Sequence, residues 1–296
     1  MASICPGFMG VAEIDGNTIR CTDFNINPTQ DFIFYDHVIG LNDTVPTDSS
    51  TKGEAVGVIQ TQKRIGRPSV ASIAGGFSFP ATVSTSADSN FEPISNFEPI
   101  FNHAKYGTYF DIRFQYTRGA TPISRSFTEC RINQFTFSVT AGDMINISAD
   151  VMAKGMDDTA QIEVDVYQTP EKFITWDKVT ISATGLPSYV ASQALEFSVN
   201  NNVTPIYTST PNNPTSDFLP RDLRVGMQEV TGSITLYSAQ GNGFLNELTT
   251  ESVISLSTTG FSTPINVVFK PVQMSGVTGP IVVQIPFVGV DKAFGN

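Results

Sequence analysis

Apolar and polar positions alternate with a period of two along most of this chain. From Val230 to Leu236, Val230, Ile234 and Leu236 are apolar, Thr231, Ser233 and Thr235 are polar, and Gly232 fills the remaining in-phase place. That pattern predicts a strand with one face toward a core and one toward water. Phe135, Phe137 and Val139 alternate with Thr136 and Ser138, and beyond Ala141, Gly142 and Asp143 the alternation resumes in Ile145, Ile147, Ala149 and Val151. This predicts a hairpin turning at Ala141 to Asp143. Ile132 is out of phase with Phe135, so either a bulge lies near Asn133 and Gln134 or the strand starts later. Val277 to Phe287, broken at Thr278, Gly279 and Pro280, predicts a second hairpin, with Pro286 suited to an edge strand.

Helical patterning is confined to Glu98 to Tyr106 and Gly243 to Thr250. The expected fold is therefore mainly β. Polar stretches rich in Pro and Gly, Leu41 to Gln62 and Thr208 to Arg221, read as long hairpin tips, and the stretch from Met156 to Glu171 as a junction. A chain of 296 residues suggests about two domains, placed at 1–165 and 170–296.

Self-similarity organises those two halves. Phe24-Asn25-Ile26-Asn27 matches Phe197-Ser198-Val199-Asn200, and Arg64-Ile65-Gly66 matches Arg224-Val225-Gly226. Gly75, Phe77 and Phe79 match Gly232, Ile234 and Leu236; Phe101, Asn102 and Ala104 match Leu245, Asn246 and Leu248; the two hairpins align through Ile145 and Val283. The order is kept throughout, which predicts two tandem modules, the first with longer loops. Within the first, Ser89-Asn90-Phe91-Glu92-Pro93-Ile94 is repeated at once as Ser95-Asn96-Phe97-Glu98-Pro99-Ile100, the mark of a slipped duplication in a loop.

Charge and chemistry narrow the function by exclusion. Seventeen basic against 28 acidic residues give a net charge of −11, which opposes a phosphate-binding surface. Cys5, Cys21 and Cys130 form neither a disulfide framework nor a metal pair, and the two histidines, His37 and His103, have no nucleophile motif beside them. The acids Asp157, Asp158, Glu163 and Asp165 lack the spacing of a cation loop. No catalytic, cofactor or metal site is expected, and the sequence reads as a soluble, non-enzymatic protein without a membrane span.

The segments from Leu195 to Tyr207, from Val225 to Tyr237 and from Cys130 to Gly155 resemble tail tube proteins of tailed bacteriophages. The resemblance implies two tail-tube-like modules, each a β-sandwich or barrel unit with one short helix, that oligomerise into a closed β-barrel channel. It implies a structural virion protein, assembled in the host cytoplasm and located in the virion tail, whose stacked rings let DNA pass into the host. Three subunits carrying two modules each would supply a pseudo-sixfold ring. Asn146, Ser148, Asp150, Thr231, Ser233 and Thr235 are the candidate lumen-facing residues. The polar loop containing Asn42, Thr44, Asp48, Lys52 and Glu54 is the candidate ring-stacking loop. Implied partners are further copies of the chain, tail sheath or other tail proteins, and passing DNA without specific binding. A baseplate hub, distal tail or tube-terminator protein using the same module, or a non-viral β-sandwich binding module, are the alternative readings.

Overall fold

The computed structural model describes residues 10–15, 17–38, 62–84, 94–118, 121–157, 172–183, 191–208, 218–238, 251–271, 273–275, 281–290 and 293–294. In chain order the strands are β1 (Gly10–Ile14), β2 (Asn17–Arg20), β3 (Asp23–Phe24), β4 (Asn27–Val38), β5 (Gln62–Pro80), β6 (Thr82–Ser84) and β7 (Ile94–Ser95). After helix α1 (Glu98–Tyr106) come β8 (Phe110–Arg118), β9 (Thr121–Thr140), β10 (Asn146–Ala153), β11 (Gly155–Asp157) and β12 (Lys172–Phe173). A 3-10 turn at Trp176–Lys178 leads to β13 (Thr180–Ala183), β14 (Ala191–Asn200), β15 (Thr204–Ile206), β16 (Asp222–Arg224) and β17 (Glu229–Ser238). The chain ends with β18 (Glu251–Thr258), β19 (Phe261–Phe269), β20 (Gln273–Ser275) and β21 (Ile281–Gly289).

Most of these strands join one 16-stranded sheet with the path β13-β18-β19-β21-β17-β14-β9-β10-β5-β3, so the mainly β expectation holds. The path is open: among the described residues it does not close on itself within one chain. β4 extends the β3 edge along β5, while β8, β1 and β2 continue from the first half of β9. At Glu129 the strand β9 bends out of the shared sheet. Its ladder with β8 shifts register between Phe110 and Ile112, Glu129 takes a φ of 50°, and the Glu129 amide is held by Asp111 Oδ1 at 2.8 Å.

The predicted β9–β10 hairpin forms with its turn at Ala141 to Asp143, and the phase conflict at Ile132 is resolved by a bulge. Asp150 lies opposite Gln134 and Val151 opposite Ile132, leaving Asn133 as the extra residue. In the second hairpin β20 pairs β21, and the predicted turn at Thr278 to Pro280 lies outside the described residues. The edge expectation for Pro286 is corrected: β21 lies inside the sheet, between β17 and β19–β20. Proline is tolerated there because the Pro286 carbonyl takes the Lys270 amide at 2.8 Å just where the β19 ladder ends, so its missing N–H faces an interruption rather than a ladder.

One face of the sheet is apolar. Across the strands Phe79, Ile147, Phe137, Phe197, Gly232 and Phe287 lie in one row, and Val139, Leu195, Ile234 and Ile285 in another. Helix α1 covers this face where the sequence predicted a helix. Pro99 in the first turn presets φ, Glu98 complements the positive end of the dipole, and Gly107 closes the helix at φ 60°. Phe97 and Phe101 are buried, Phe97 at 5.8 Å from Phe137 and Phe101 at 5.5 Å from Phe135, and both meet Phe261. The second helix candidate, Gly243 to Thr250, lies outside the described residues.

Candidate functional site

Opposite the apolar rows, the same strands present a polar face. Because successive side chains alternate, burying Phe135, Phe137, Leu195, Phe197, Ile234 and Leu236 forces Gln134, Thr136, Ser138, Glu196, Ser198, Ser233 and Thr235 outward. The ladders align these into cross-sheet rows. One runs Ser78, Ser148, Thr136, Ser198, Thr231; the next Asn146, Ser138, Glu196, Ser233, Pro286; and a third Asp150, Gln134, Asn200, Glu229. The candidate residues Asn146, Ser148, Asp150, Thr231, Ser233 and Thr235, drawn from opposite ends of the sequence, therefore share one face of one continuous sheet.

The face is small, hydroxylated and acidic. Gln134 Nε2 donates to Ser198 Oγ at 3.1 Å and Gln284 Nε2 to Ser233 Oγ at 3.2 Å, so the amides tie neighbouring strands together. Asp23, Asp150, Glu196 and Glu229 are its exposed carboxylates. Asp150 lies over the bare backbone of Gly76, where a Cβ would come within 2.5 Å of Oδ1, and partial burial pushes its carboxyl above the usual aspartate range. Lys270 lies at the end of these rows, its amide bound to the Pro286 carbonyl. Arg113 instead pairs with Glu13 at 3.8 Å on β8 and β1, and Arg131 is held under α1 by the Gly107 carbonyl at 2.8 Å. Such a face does not attract phosphates, since attraction would require cations that release counterions.

Nothing among the described residues is arranged for covalent chemistry or metal binding. His103 is bound by Asp15 at 2.5 Å and Thr108 at 2.7 Å and stacks on Phe110, linking α1 to the β1–β2 turn. Cys21 and Cys130 are buried free thiols; burial pushes Cys21 up to about 12 and Cys130 higher still, so neither is a nucleophile at neutral pH. No group of three or more His, Cys, Asp or Glu side chains among the described residues fits a metal. No described helix is long and apolar enough to cross a membrane.

The sequence reading missed Asp23, Glu196 and Glu229 on this face. Glu196 was within reach, since Leu195, Phe197 and Val199 alternate with Glu196, Ser198 and Asn200 as clearly as any other strand. Asp23 has no such signal: β3 is two residues long and joins the face only through its pairing with Ser78. Asn42, Thr44, Asp48, Lys52 and Glu54 lie outside the described residues. No curated protein matches the chain. A family model described as phage tail tube protein matches residues 40–289.

Proposed function

The chain belongs to the phage tail tube protein family, and from that membership we propose that its copies close into rings around a channel for DNA passage, lined by the acidic face of the sheet. Family membership makes it a non-enzymatic structural component of the virion tail. The observation that carries the proposal is the continuity of the face: six adjacent strands, from β5 to β21, turn hydroxyls, amides and carboxylates to one side and an aromatic layer to the other. Among the described residues the sheet path does not close on itself, and pairing between copies would cover edges that a single chain leaves open. Replacing Ser148, Glu196 and Ser233 together by Lys tests the lining. Tubes of normal length that eject DNA slowly, with the delay relieved by salt, are expected; unchanged ejection at low salt rejects the lining.

We further propose that residues 1–165 and 170–296 are two copies of one module, with three chains per ring. The strand order supports this: β8-β9-β10-β5-β3 in the first half has the counterpart β18-β19-β21-β17-β14 in the second. The ladders refine the matching. Phe24 lies opposite Phe77, and its counterpart Phe197 lies opposite Gly232, so Phe77 corresponds to Gly232 rather than to Ile234. The shift is two residues and keeps every side chain on its face. Counting chains per ring by electron microscopy decides between three and six.

The loop spanning residues 42–57 is proposed to join successive rings. It lies between β4 and β5, a long hairpin whose counterpart β15–β16 is much shorter. Its replacement by a short Gly/Ser linker should leave melting unchanged while tube elongation fails, and normal tube lengths would show that stacking is held elsewhere. Sheath or other tail proteins are the further partners this reading implies.

A further inference from the structure

The contact between the two halves of the chain is itself a template for the contact between chains. β14 lies along the last third of β9, with Glu196 opposite Ser138, Ser198 opposite Thr136 and Val199 opposite Phe135. β8 leaves β9 at Cys130, and β14 takes over the same edge from Gln134. In the second half β18 follows β19 as far as Val268, and among the described residues no strand takes over the edge from Phe269 through β20. At the other end of the path, β3 and the stretch after it pair only with β5 among the described residues, leaving their outer edge open. Among the described residues each chain thus carries one free copy of each partner.

The ladders translate one contact into the other. Phe197 corresponds to Phe24, which carries Glu196, Ser198 and Val199 onto Asp23, Asn25 and Ile26. On the facing side Thr136 pairs with Ser148 as Lys270 bonds Pro286, Ser138 pairs with Asn146 as Gln273 pairs with Gln284, and Phe135 pairs with Ala149 as Phe269 pairs with Phe287. We propose that neighbouring chains join by laying the Asp23–Ile26 edge of one against the Phe269–Gln273 edge of the next, with Ile26 opposite Phe269, Asn25 opposite Lys270 and, past the one extra residue that the Lys270–Pro286 and Gln273–Gln284 pairs already place between Lys270 and Gln273, Asp23 opposite Gln273.

This rests on the ring reading above and names the surfaces that make the ring. The chemistry of the two edges is complementary. Ile26 and Phe269 both belong to the buried apolar layer, so their pairing continues the core across the seam. Asp23 and Lys270 are exposed and have no ion-pair partner among the described residues, and the register sets them diagonally across the seam on the polar face. In the free chain, Lys270 and Pro271 are residues that discourage indiscriminate edge pairing. The interface is heterologous, donor edge to acceptor edge, and forms a ring when the rotation closes.

Disulfide trapping tests the register. In this register Lys270 turns its backbone bonds toward Pro286, so Asn25 and Lys270 face each other as a non-hydrogen-bonded pair, the closer kind and within reach of a disulfide. The double variant Asn25→Cys with Lys270→Cys should give covalent oligomers ending at a closed three-chain species on non-reducing gels, while either single variant gives none. Asn25 also holds the Gly76 amide through its side chain, so Asp23→Cys with Gln273→Cys serves as a second pair. Asn25→Cys with Ser262→Cys is the misplaced control. Rings that form but cross-link through neither pair overturn the seam and leave the ring reading standing. A wild-type protein that forms no rings and no cross-links overturns both. As an independent check, Asp23→Lys and Lys270→Asp should each weaken ring formation and together restore it; additive loss without rescue counts against the seam.

Discussion

Gly232 and Phe287 occupy one place in the core. The two residues are direct ladder partners on β17 and β21, and the Phe287 ring lies over Gly232 so closely that a Cβ there would overlap its edge. The same Cβ would also come within 2.5 Å of the Glu196 carbonyl, which belongs to the adjoining ladder. The ring could turn aside, but the ladder backbone cannot retreat without breaking its bonds. Gly232→Ala is therefore expected to destabilise the unassembled chain by about 1–3 kcal/mol through overpacking, measured by denaturant unfolding. A neutral result would show that the β14–β17 pairing has slack.

The last turn of α1 depends on two amides from the second half. Asn201, fully buried, donates to the carbonyls of Ala104 at 2.9 Å and Ile132 at 3.0 Å. Gln228 donates to Ala104 and Lys105, each at 3.1 Å, and to Asn201 Oδ1 at 2.9 Å. Asn201→Ala takes this donor from the Ile132 carbonyl and the Oδ1 acceptor from Gln228, and should cost about 1–3 kcal/mol. Gln228→Ala should cost less, and the double variant less than the sum, because the two side chains share a network. Strict additivity in a double-mutant cycle would contradict that coupling.

Which of these features could be read from the chain alone follows from the range of the interactions. The β9–β10 hairpin, its turn and the extent of α1 rest on local alternation and an apolar helix face and were legible; the phase break at Ile132 was legible too, but it left a bulge and a later strand start open. The polar face was legible strand by strand, which is why six residues from two distant strands emerged on one side. That those strands belong to one sheet was not, because the β14–β9 pairing has no turn to signal it. Pro286 was misplaced for the same reason: its tolerance depends on where the β19 ladder ends, a fact of tertiary pairing. Asn201 and Gln228 carried no signal, since a capping amide supplied from another part of the chain obeys no spacing rule.

Asp150 gives the polar face a pH signature. Partial burial raises its carboxyl above the usual range, so the folded chain protonates it at a higher pH than the unfolded chain does. Unfolding at neutral pH is then assisted by relief of that buried charge, and the cost fades as pH falls through the raised value toward the ordinary one. Asp150→Asn should raise the melting temperature at pH 7, with the advantage over wild type shrinking to nothing in acid. An advantage that grows on acidification would reverse the sign and rule out burial as the cause.

The second copy of the tandem hexapeptide is built into the fold. In the second copy, Ser95 pairs with Val83, and Asn96 accepts the Thr82 amide at 2.9 Å and donates to the Pro80 carbonyl at 3.3 Å. Phe97 and Ile100 are fully buried, and Glu98 and Pro99 start α1. Only this copy is followed by Phe101 and Ala104, which complete the helix face, so only it can seat the helix. Removing either copy yields the same polypeptide. In that chain Asp88 directly precedes the retained unit, takes the place of Ile94 opposite Ser84, and residues 85–87 close the hairpin, a permitted loop length. The six-residue deletion is expected to change stability by no more than about 0.5 kcal/mol, because the retained unit keeps every contact named above. Asn96→Ala should cost about 1 kcal/mol in the same denaturation assay, because it strips two bonds from the segment that positions the helix. A deletion that costs more than the Asn96 substitution would mean that the first copy also holds the fold.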